Sequence, residues 1–222
     1  YRANPTAGFS IVTYTGTGSA GSIAHGLNAQ PSMVIIKNRS TTSLNWKVIH
    51  KNLTGFGTYM LSLDDATAET SASASWFNSL APDSTIVNLG SLLAVNGSGD
   101  DYVAYCWSEV EGYSKFGAWT GNQDTDGPFV YCGFKPAYIL LKCSSHGEEY
   151  IILDNKRDTY NEVEKGIYGS LPNAEDSGGF VDTDFLSNGF KLRADGSIIN
   201  GPSKSYIFAA FAESSFKYSN AR

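Results

Sequence analysis

The stretch PSMVIIK at residues 31–37 decides the fold, because it returns as PAYILLK at residues 136–142. The offset is 105 residues, the difference between positions 31 and 136. In both copies an apolar run begins two residues after a proline and ends at a lysine. A continuous apolar run this short is typical of a strand that is covered on both faces. The two copies therefore predict a duplicated, sheet-forming unit.

The similarity extends outward from this stretch in both directions. Tyr14-Thr15-Gly16 aligns with Trp119-Thr120-Gly121 at the same offset. Beyond Lys37 the offset becomes 104, so that residues 46–49 meet residues 150–153. We interpret this change as a one-residue difference in the loop after the apolar strand.

The duplication sets the domain organisation. Asn96-Gly97 meets Asn200-Gly201, again at an offset of 104. The repeated order of apolar runs and turn residues covers nearly the whole unit. We therefore expect two tandem units, residues 1–112 and residues 113–222, each close to the usual size of a domain.

Within each unit the apolar residues follow a period of two. Residues 59–64 and 85–89 alternate between apolar and polar, the pattern of a half-buried strand. About seven such runs per unit predict an all-β fold of two internally duplicated β-sandwiches. Ile35 and Leu140 are expected to occupy the same core position in the two units. Asp158 to Lys165 is the one segment expected to form a helical turn or two.

Composition excludes several classes of function. The chain has 222 residues, of which 41% are apolar and 17% charged, with a net charge of −6. Intrinsic disorder is disfavoured by this composition. The acidic balance argues against nucleic acid as a partner, because phosphate contacts need a basic surface. No apolar run approaches the ~18 residues of a membrane span, so no membrane insertion is expected.

The cysteines suggest the compartment in which the chain folds, and the first residues suggest that it is part of a longer protein. Cys106, Cys132 and Cys143 form no C-x-x-C pair, which disfavours a zinc site. Their odd number predicts reduced, packed thiols and hence assembly in a cytoplasm. The chain opens at Tyr1 without a charged and apolar leader, and we interpret it as a fragment of a longer protein.

Two loops resemble ligand-binding motifs. The glycine-rich segment at residues 16–21 satisfies G-x-G-x-x-G, but Gly26 and Pro31 follow too soon for the helix of a dinucleotide site, so a hairpin loop is favoured. Residues 122–127 resemble the start of a calcium loop that lacks its closing glutamate. Asp124 and Asp126 are weak candidates for a cation site, Asp182-Thr183-Asp184 is a weaker one, and the alternative is an acidic hairpin tip.

No catalytic set emerges from the sequence. The three histidines share no metal-binding spacing, and no G-x-S-x-G elbow is present. Glu109 and Glu213 recur at the repeat offset, but one carboxylate per unit lacks the partner that glycoside hydrolysis needs. We therefore expect these two to make structural hydrogen bonds or ion pairs. The chain is predicted to be non-enzymatic and to need no cofactor.

Large aromatic residues are the candidates for ligand binding. Aromatic faces stack on the C–H faces of sugars, although aromatics more often fill a β-sheet core. Trp46, Trp76 and Phe77 lie in or beside polar loops, and Trp119 belongs to the same aromatic set. These four residues are our predicted glycan- or receptor-binding residues.

Several phrases occur together in a way that resembles one family. They are GFSIVTYTG at 8–16, HGL at 25–27, VIIKNRS at 34–40, YVAYC at 102–106, GYSKFG at 112–117, GPFVY at 127–131, SNGFKL at 187–192 and SNAR at 219–222. This combination resembles a C-terminal module of virion proteins from tailed bacteriophages of marine and cyanobacterial hosts, a module often found in tail fibres or appendages. The resemblance covers nearly the whole chain and brings no catalytic motif with it.

The resemblance implies a function at the surface of a virion. It implies a tail fibre or appendage tip that is assembled in the host cytoplasm and binds a host cell-surface glycan or protein receptor. Other virion proteins are expected partners, and a homotrimer is expected because phage fibres are usually trimeric. Two alternatives stay open: a structural module that decorates a capsid or joins virion parts, and a glycan depolymerase.

Overall fold

The computed structural model describes residues 1–175 and 178–213, which are almost entirely β-structure. All strand pairs are antiparallel, and the two helices have four residues each. The SNAR motif at residues 219–222 lies outside the described residues. The chain divides into two compact units. The first comprises Tyr1–Asp65 and Glu69–Glu109, and the second comprises Ala66–Ala68 and the chain from Val110 onward.

The first unit contains a seven-stranded sheet and a two-stranded sheet. The large sheet has the order β1-β2-β9-β4-β5-β6-β7, and β3 pairs with β8 in the small one. The elements are β1 Arg2–Asn4, β2 Phe9–Thr15, β3 Gly21–Ala24, β4 Met33–Asn38, β5 Lys47–His50, β6 Tyr59–Ser62, β7 Thr70–Ser71, α1 Ala74–Phe77, β8 Ile86–Leu89, α2 Leu93–Asn96 and β9 Asp101–Trp107.

The second unit repeats this arrangement with a five-stranded and a three-stranded sheet. The large sheet has the order β10-β17-β12-β13-β14, and the small one has the order β11-β16-β15. The strands are β10 Ser114–Thr120, β11 Phe129–Tyr131, β12 Pro136–Cys143, β13 Ile151–Asp154, β14 Ile167–Tyr168, β15 Thr183–Leu186, β16 Gly189–Leu192 and β17 Ser205–Ala212.

Each core lies between the large and the small sheet of its unit. Successive strand residues point to opposite faces, so alternate positions of each sheet supply the core. In the first unit Ile36 of β4 and Leu89 of β8 belong to one buried cluster. In the second unit Leu141 of β12 and Phe190 of β16 do the same. This two-layer packing is that of a β-sandwich.

Ile35 and Leu140 hold matching register positions, at which Ile35 is buried and Leu140 is half-buried. Ile35 lies opposite Tyr105, and Leu140 lies opposite Ala209. Neither residue belongs to a core cluster, whereas their neighbours Ile36 and Leu141 do. The expected common position is confirmed by the register, but the side chains between the two sheets are those one residue later, because a continuous apolar run does not reveal which alternate side chains face inward.

A buried asparagine fastens the same loop in both units. The Asn96 side chain accepts from the Thr17 amide at 2.9 Å and donates to the Gly90 carbonyl at 2.8 Å. Asn200 accepts from the Asn122 amide at 2.9 Å and donates to the Ala194 carbonyl at 3.0 Å. Every partner recurs at the repeat offset. In each unit, one side chain thus forms hydrogen bonds with backbone groups that have no partner in a sheet.

In each unit a buried tyrosine hydroxyl forms hydrogen bonds with the backbone of the Asn-Gly turn. Tyr102 donates its hydroxyl to the Leu93 carbonyl at 2.5 Å and accepts from the Gly97 amide at 2.7 Å. Tyr206 repeats both bonds, with Ser197 at 2.6 Å and Gly201 at 2.7 Å. These buried hydroxyls explain why the Asn-Gly dipeptides recur at the repeat offset.

Two local expectations need correction. Asp158 to Lys165 contains no helix, and two of its residues pair with β15 instead. The glycine-rich loop at residues 16–21 is not a hairpin, because it connects β2 of the large sheet to β3 of the small one. A strand rather than a helix follows the glycines, so the geometry of a dinucleotide site is absent.

Candidate functional site

Two aromatic rings stand on the outer side of the small sheet of the second unit. In β11, Val130 points into the core, so Phe129 and Tyr131 point outward. Phe129 is 45% exposed and Tyr131 is 63% exposed. Residues two apart on a strand are separated by about 7 Å. We call the outer side of β11, β16 and β15 the aromatic face.

A glycine supports the first of these rings. The Cζ atom of Phe129 lies 3.1 Å from the place that a Cβ at Gly189 would occupy, and the Val130 carbonyl oxygen lies 2.1 Å from it. Residue 189 must therefore be glycine for β11 and β16 to pair as they do. The Phe129 ring reaches diagonally over the bare backbone at Gly189.

Charged side chains stand beside the rings on the same face. Lys191 lies directly opposite Phe129 in the register of β11 and β16. Its ammonium is 2.7 Å from the Asp126 carboxylate. Arg193 lies 3.7 Å from the same carboxylate and 2.7 Å from that of Asp184. The face thus combines two rings with a network of two cations and two carboxylates.

The two carboxylates differ in their surroundings. Asp184 is buried, whereas the Asp126 side chain is 80% exposed. The hydrogen bond from Lys191 and the charges of Lys191 and Arg193 hold the pKa of Asp126 below its usual range. A general acid for glycoside hydrolysis needs a raised pKa, so Asp126 is poorly suited to that role.

A polar loop extends the aromatic face beyond β15. The Asn161 amide group accepts from the Phe185 amide at 2.9 Å and donates to the Phe185 carbonyl at 3.2 Å. Val163 exchanges two backbone hydrogen bonds with Thr183. The loop also lines a shallow, open depression of about 470 Å³. The depression is lined by Arg157, Asp158, Thr159, Tyr160, Asn161, Glu162, Glu164 and Lys165.

Two of the four predicted binding aromatics are core residues. Phe77 is completely buried. Trp119 is nearly so, and it stacks on Tyr206 with ring centroids 5.0 Å apart. Its indole N–H donates to the Ile199 carbonyl at 3.1 Å. Neither residue can present a ring face to a ligand, and their assignment as binding residues is corrected here.

The other two are half-buried and lie on opposite faces of one sheet. Trp46 stacks on Tyr105 on the side away from the core, with centroids 6.3 Å apart. Trp76 packs against the core cluster, with the Lys47 ammonium 5.0 Å from its ring centroid. Burial lowers the pKa of Lys47, and Asp64 and Asp65 oppose that shift. The structure does not bring the two tryptophans together into one site.

The loop at residues 122–127 is organised by its own hydrogen bonds. Asn122 accepts from the Asp124 amide at 3.1 Å, and Asp124 accepts from the Asp126 amide at 2.8 Å. Asp126 is paired with Lys191 and Arg193. Among residues 1–175 and 178–213, no group of three or more His, Cys, Asp or Glu side chains is placed to hold a metal ion.

The remaining candidates make structural contacts. Glu109 forms an ion pair with Lys51 at 2.6 Å. Glu213 pairs with Lys135 at 3.2 Å and accepts from the Asn155 side chain at 3.1 Å. The three cysteines are free and buried, and burial raises the pKa of the Cys106 thiol to about 12.

Sequence reasoning missed Phe129 and Tyr131 because it gave most weight to tryptophan. A signal was available in the alternation of residues 129–132, where two large rings flank a valine. The corresponding strand of the first unit carries Ser22 and Ala24 on either side of Ile23. A residue type that changes so sharply between repeats at one strand position indicates a surface with its own role.

Comparison with known proteins gives a family without an assigned activity. No curated protein and no solved structure shows significant similarity to the chain. Both helices of the described residues are too short to cross a membrane. One family model, that of a domain of unknown function called DUF7483, matches residues 1–215. Because that match covers nearly the whole sequence, the chain belongs to the DUF7483 family.

Proposed function

We propose that this chain is a non-enzymatic binding module whose second unit recognises a glycan on a cell surface. The observation that carries the proposal is the aromatic face, where Phe129 and Tyr131 are exposed on one strand beside an ordered network of charged groups. Scattered single apolar residues are normal on a protein surface, but two large rings on one face are a candidate contact patch.

The chemistry of the face suits a carbohydrate. A sugar ring has an apolar C–H face, which packs on an aromatic ring, and an edge of hydroxyl groups, which needs hydrogen-bond partners. Phe129 and Tyr131 offer two rings from strand positions about 7 Å apart. Lys191, Arg193 and Asp184 offer fixed donors and acceptors on the neighbouring strands. Side chains already held by ion pairs lose little conformational entropy on binding.

The biological setting of the proposal comes from the sequence resemblance. We place the module at the tip of a phage tail fibre or appendage, with a host cell-surface glycan as receptor. A single shallow face of this kind binds weakly. Three copies in a homotrimer would raise the overall affinity through a high effective concentration.

The same face supports binding better than catalysis. Inverting glycosidases need a protonated acid and a separate base about 6.5–9.5 Å apart, and retaining enzymes need two carboxyl groups about 5–5.5 Å apart. Asp126 and Asp184 are both neutralised by cations, and the pKa of Asp126 is lowered rather than raised. This arrangement favours adhesion over a depolymerase.

The test replaces both rings by small residues like those of the first unit. We expect the double variant Phe129→Ser/Tyr131→Ala to bind host-surface glycans about fivefold to a hundredfold more weakly than the native chain, since each ring contact contributes ~0.5–1.5 kcal/mol. Phe180→Ser is the matched control, because Phe180 is a similarly exposed ring of the same unit. Binding is measured on immobilised polysaccharide from candidate hosts.

Two results would contradict the proposal. One is a double variant that binds as tightly as the native chain. The other is a native chain that binds no host glycan but binds a purified virion protein, which would favour the structural alternative. Release of soluble fragments from the polysaccharide would instead favour the depolymerase.

A further inference from the structure

The two cations of the aromatic face are held by carboxylates of different character. Asp184 lies within β15, is buried and pairs with the guanidinium group of Arg193, at 2.7 Å. Asp126 lies in the loop before β11 and projects into solvent, yet its carboxylate contacts both Lys191 and Arg193. Asp184 is thus a fixed part of the sheet, while Asp126 is a solvent-exposed partner of both cations.

We infer that the aromatic face takes a carboxylated sugar, whose carboxylate replaces that of Asp126 between Lys191 and Arg193 while its ring lies on Phe129. The inference rests on the proposed glycan-binding function and names the class of glycan. It treats the Asp126 side chain as an internal stand-in for the ligand carboxylate.

The register places the cation and the ring within reach of one sugar residue. Phe129 and Lys191 are directly opposite each other on β11 and β16. Directly opposed residues on antiparallel strands have Cβ atoms about 4.5–5.5 Å apart. A uronic acid carries its carboxylate on the ring itself, so the sugar can touch the Phe129 ring and the Lys191 ammonium together.

Lys191 is the cation that most needs the Asp126 carboxylate. Arg193 also lies in the field of Asp184 and Glu162, whereas the ion pair of Lys191 is made with Asp126. When the Asp126 side chain turns toward water, the Lys191 ammonium loses that partner. A sugar carboxylate can take the same position with the same charge, and the exposed ion pair that it replaces is a weak one.

The backbone of residue 126 is fixed independently of its side chain. The Asp126 amide donates to Asp124, and the next amide, Gly127, donates to the Leu192 carbonyl at 3.2 Å. Asn200 also holds the loop, through the Asp124 carbonyl at 2.8 Å. Replacing the Asp126 carboxylate therefore leaves the turn in place.

The experiment is calorimetric titration of the full chain with oligogalacturonate and with the same oligomer after methyl esterification, which removes its charge. We expect Asp126→Asn to tighten binding of the acidic oligomer about twofold to fivefold, because an exposed competing ion pair is lost. Lys191→Met should weaken it about tenfold or more, because a charged hydrogen-bond donor is lost. The esterified oligomer should respond to neither change.

Asp195→Asn is the matched control, since it alters the net charge equally at an exposed position of the same unit. Thermal unfolding of each variant verifies that it is folded. The inference is overturned if Asp126→Asn binds the acidic oligomer no more tightly than Asp195→Asn does. It is also overturned if a sulfated oligomer binds more tightly than the carboxylated one.

The failure of this inference differs from the failure of the proposed function. Binding of the esterified oligomer alone, abolished by Phe129→Ser/Tyr131→Ala, would overturn the acidic-sugar inference and leave glycan binding intact. Absence of binding to every oligomer and host polysaccharide would overturn both.

Discussion

The outer strands of the two small sheets differ far more than the sheets that support them. In the first unit Ser22 and Ala24 flank an inward-facing isoleucine, Ile23, which lies opposite the core residue Val87. In the second unit Phe129 and Tyr131 flank Val130, whose partner in β16 is a core phenylalanine. The inward positions of both strands are apolar, and only the outward positions change from small to aromatic.

This difference separates the residues that specify the fold, which repeat in both units, from the outward residues that are free to bind a ligand. The bonds made by Asn96 and Asn200 agree partner for partner, and so do those of Tyr102 and Tyr206. Such buried polar bonds specify the fold, because leaving one of them unmade costs about 1–3 kcal/mol. The outer positions carry no such constraint, so the first unit is an internal reference against which the binding face of the second can be measured.

The largest expected effect concerns the interior that the units share. Ile36→Ala and Leu141→Ala should each lower the free energy of unfolding by about 2–5 kcal/mol, because each leaves a cavity at the same position of a core. Chemical denaturation of the full chain measures the loss. Amide hydrogen exchange at Gly16 and Gly121, which make matching backbone bonds, assigns it to a unit.

Exposed apolar residues provide the controls for these truncations. Ile11→Ala in the first unit and Leu171→Ala in the second should change the free energy of unfolding by less than about 0.5 kcal/mol. The equivalence of the two cores would be broken if one truncation cost several kcal/mol and the other cost no more than its control.

The two cores also differ in a titratable group, because only the first contains a buried histidine at this position. His25 of the first unit is buried, and its counterpart two positions beyond Val130 in the second unit is the buried Cys132. The His25 amide donates to the Thr85 carbonyl, and the Cys132 amide donates to the Asn188 carbonyl. The His25 ring has its Nε2 atom 3.2 Å from the Asp83 carbonyl oxygen, and its Nδ1 accepts from the Leu27 amide at 3.2 Å. Burial lowers the pKa of His25, although hydrogen bonding and charge at Asp83 oppose the shift.

The sign of the pH effect follows from that lowered pKa. The unfolded chain binds a proton at His25 near pH 6.5, whereas the folded chain resists it. Stability that is complete above about pH 6.5 is therefore lost as the pH falls below that value. His25→Gln should flatten this part of the profile of unfolding free energy against pH, and His146→Gln, at an exposed position, should not. A His25→Gln profile as steep as the native one would refute the assignment.

The repeat made most of this architecture predictable from sequence. Period-two alternation identified β6 and β8 nearly to their ends. The change of offset after Lys37 corresponds to a loop between β12 and β13 that is one residue shorter than the loop between β4 and β5. Local patterns succeed here because strand pairing, turn chemistry and the repeat all favour one arrangement.

The candidate site was much less predictable, and the reason is physical. A tryptophan such as Trp119 looks the same in sequence whether its indole faces water or the Ile199 carbonyl. The partners of Asp126 depend on the register between β11 and β16, which places Lys191 within reach of a loop 65 positions earlier. Long-range register and the inward or outward direction of a side chain are properties of the folded sheets, so single residue types did not reveal them.

The smallest expected effect concerns the ion pairs near the ends of β9 and β17. Glu109 pairs with Lys51, and at the same offset Glu213 accepts from Asn155. Lys51→Asn converts the first arrangement into the second. Because both Lys51 and Glu109 are about a third exposed, the variant should lose only ~0.2–1 kcal/mol of unfolding free energy at low salt.

Added salt tests whether that small loss is electrostatic. The difference between the native chain and Lys51→Asn should shrink as salt is raised from 0.01 M to 1 M, because the Debye length falls from about 30 Å to about 3 Å. Lys135→Met, which removes the pair with Glu213 in the second unit, should behave in the same way. A loss of more than about 2 kcal/mol that salt does not reduce would mean that Lys51 stabilises its unit by packing, and the two glutamates would then have different roles despite their equal positions in the repeat.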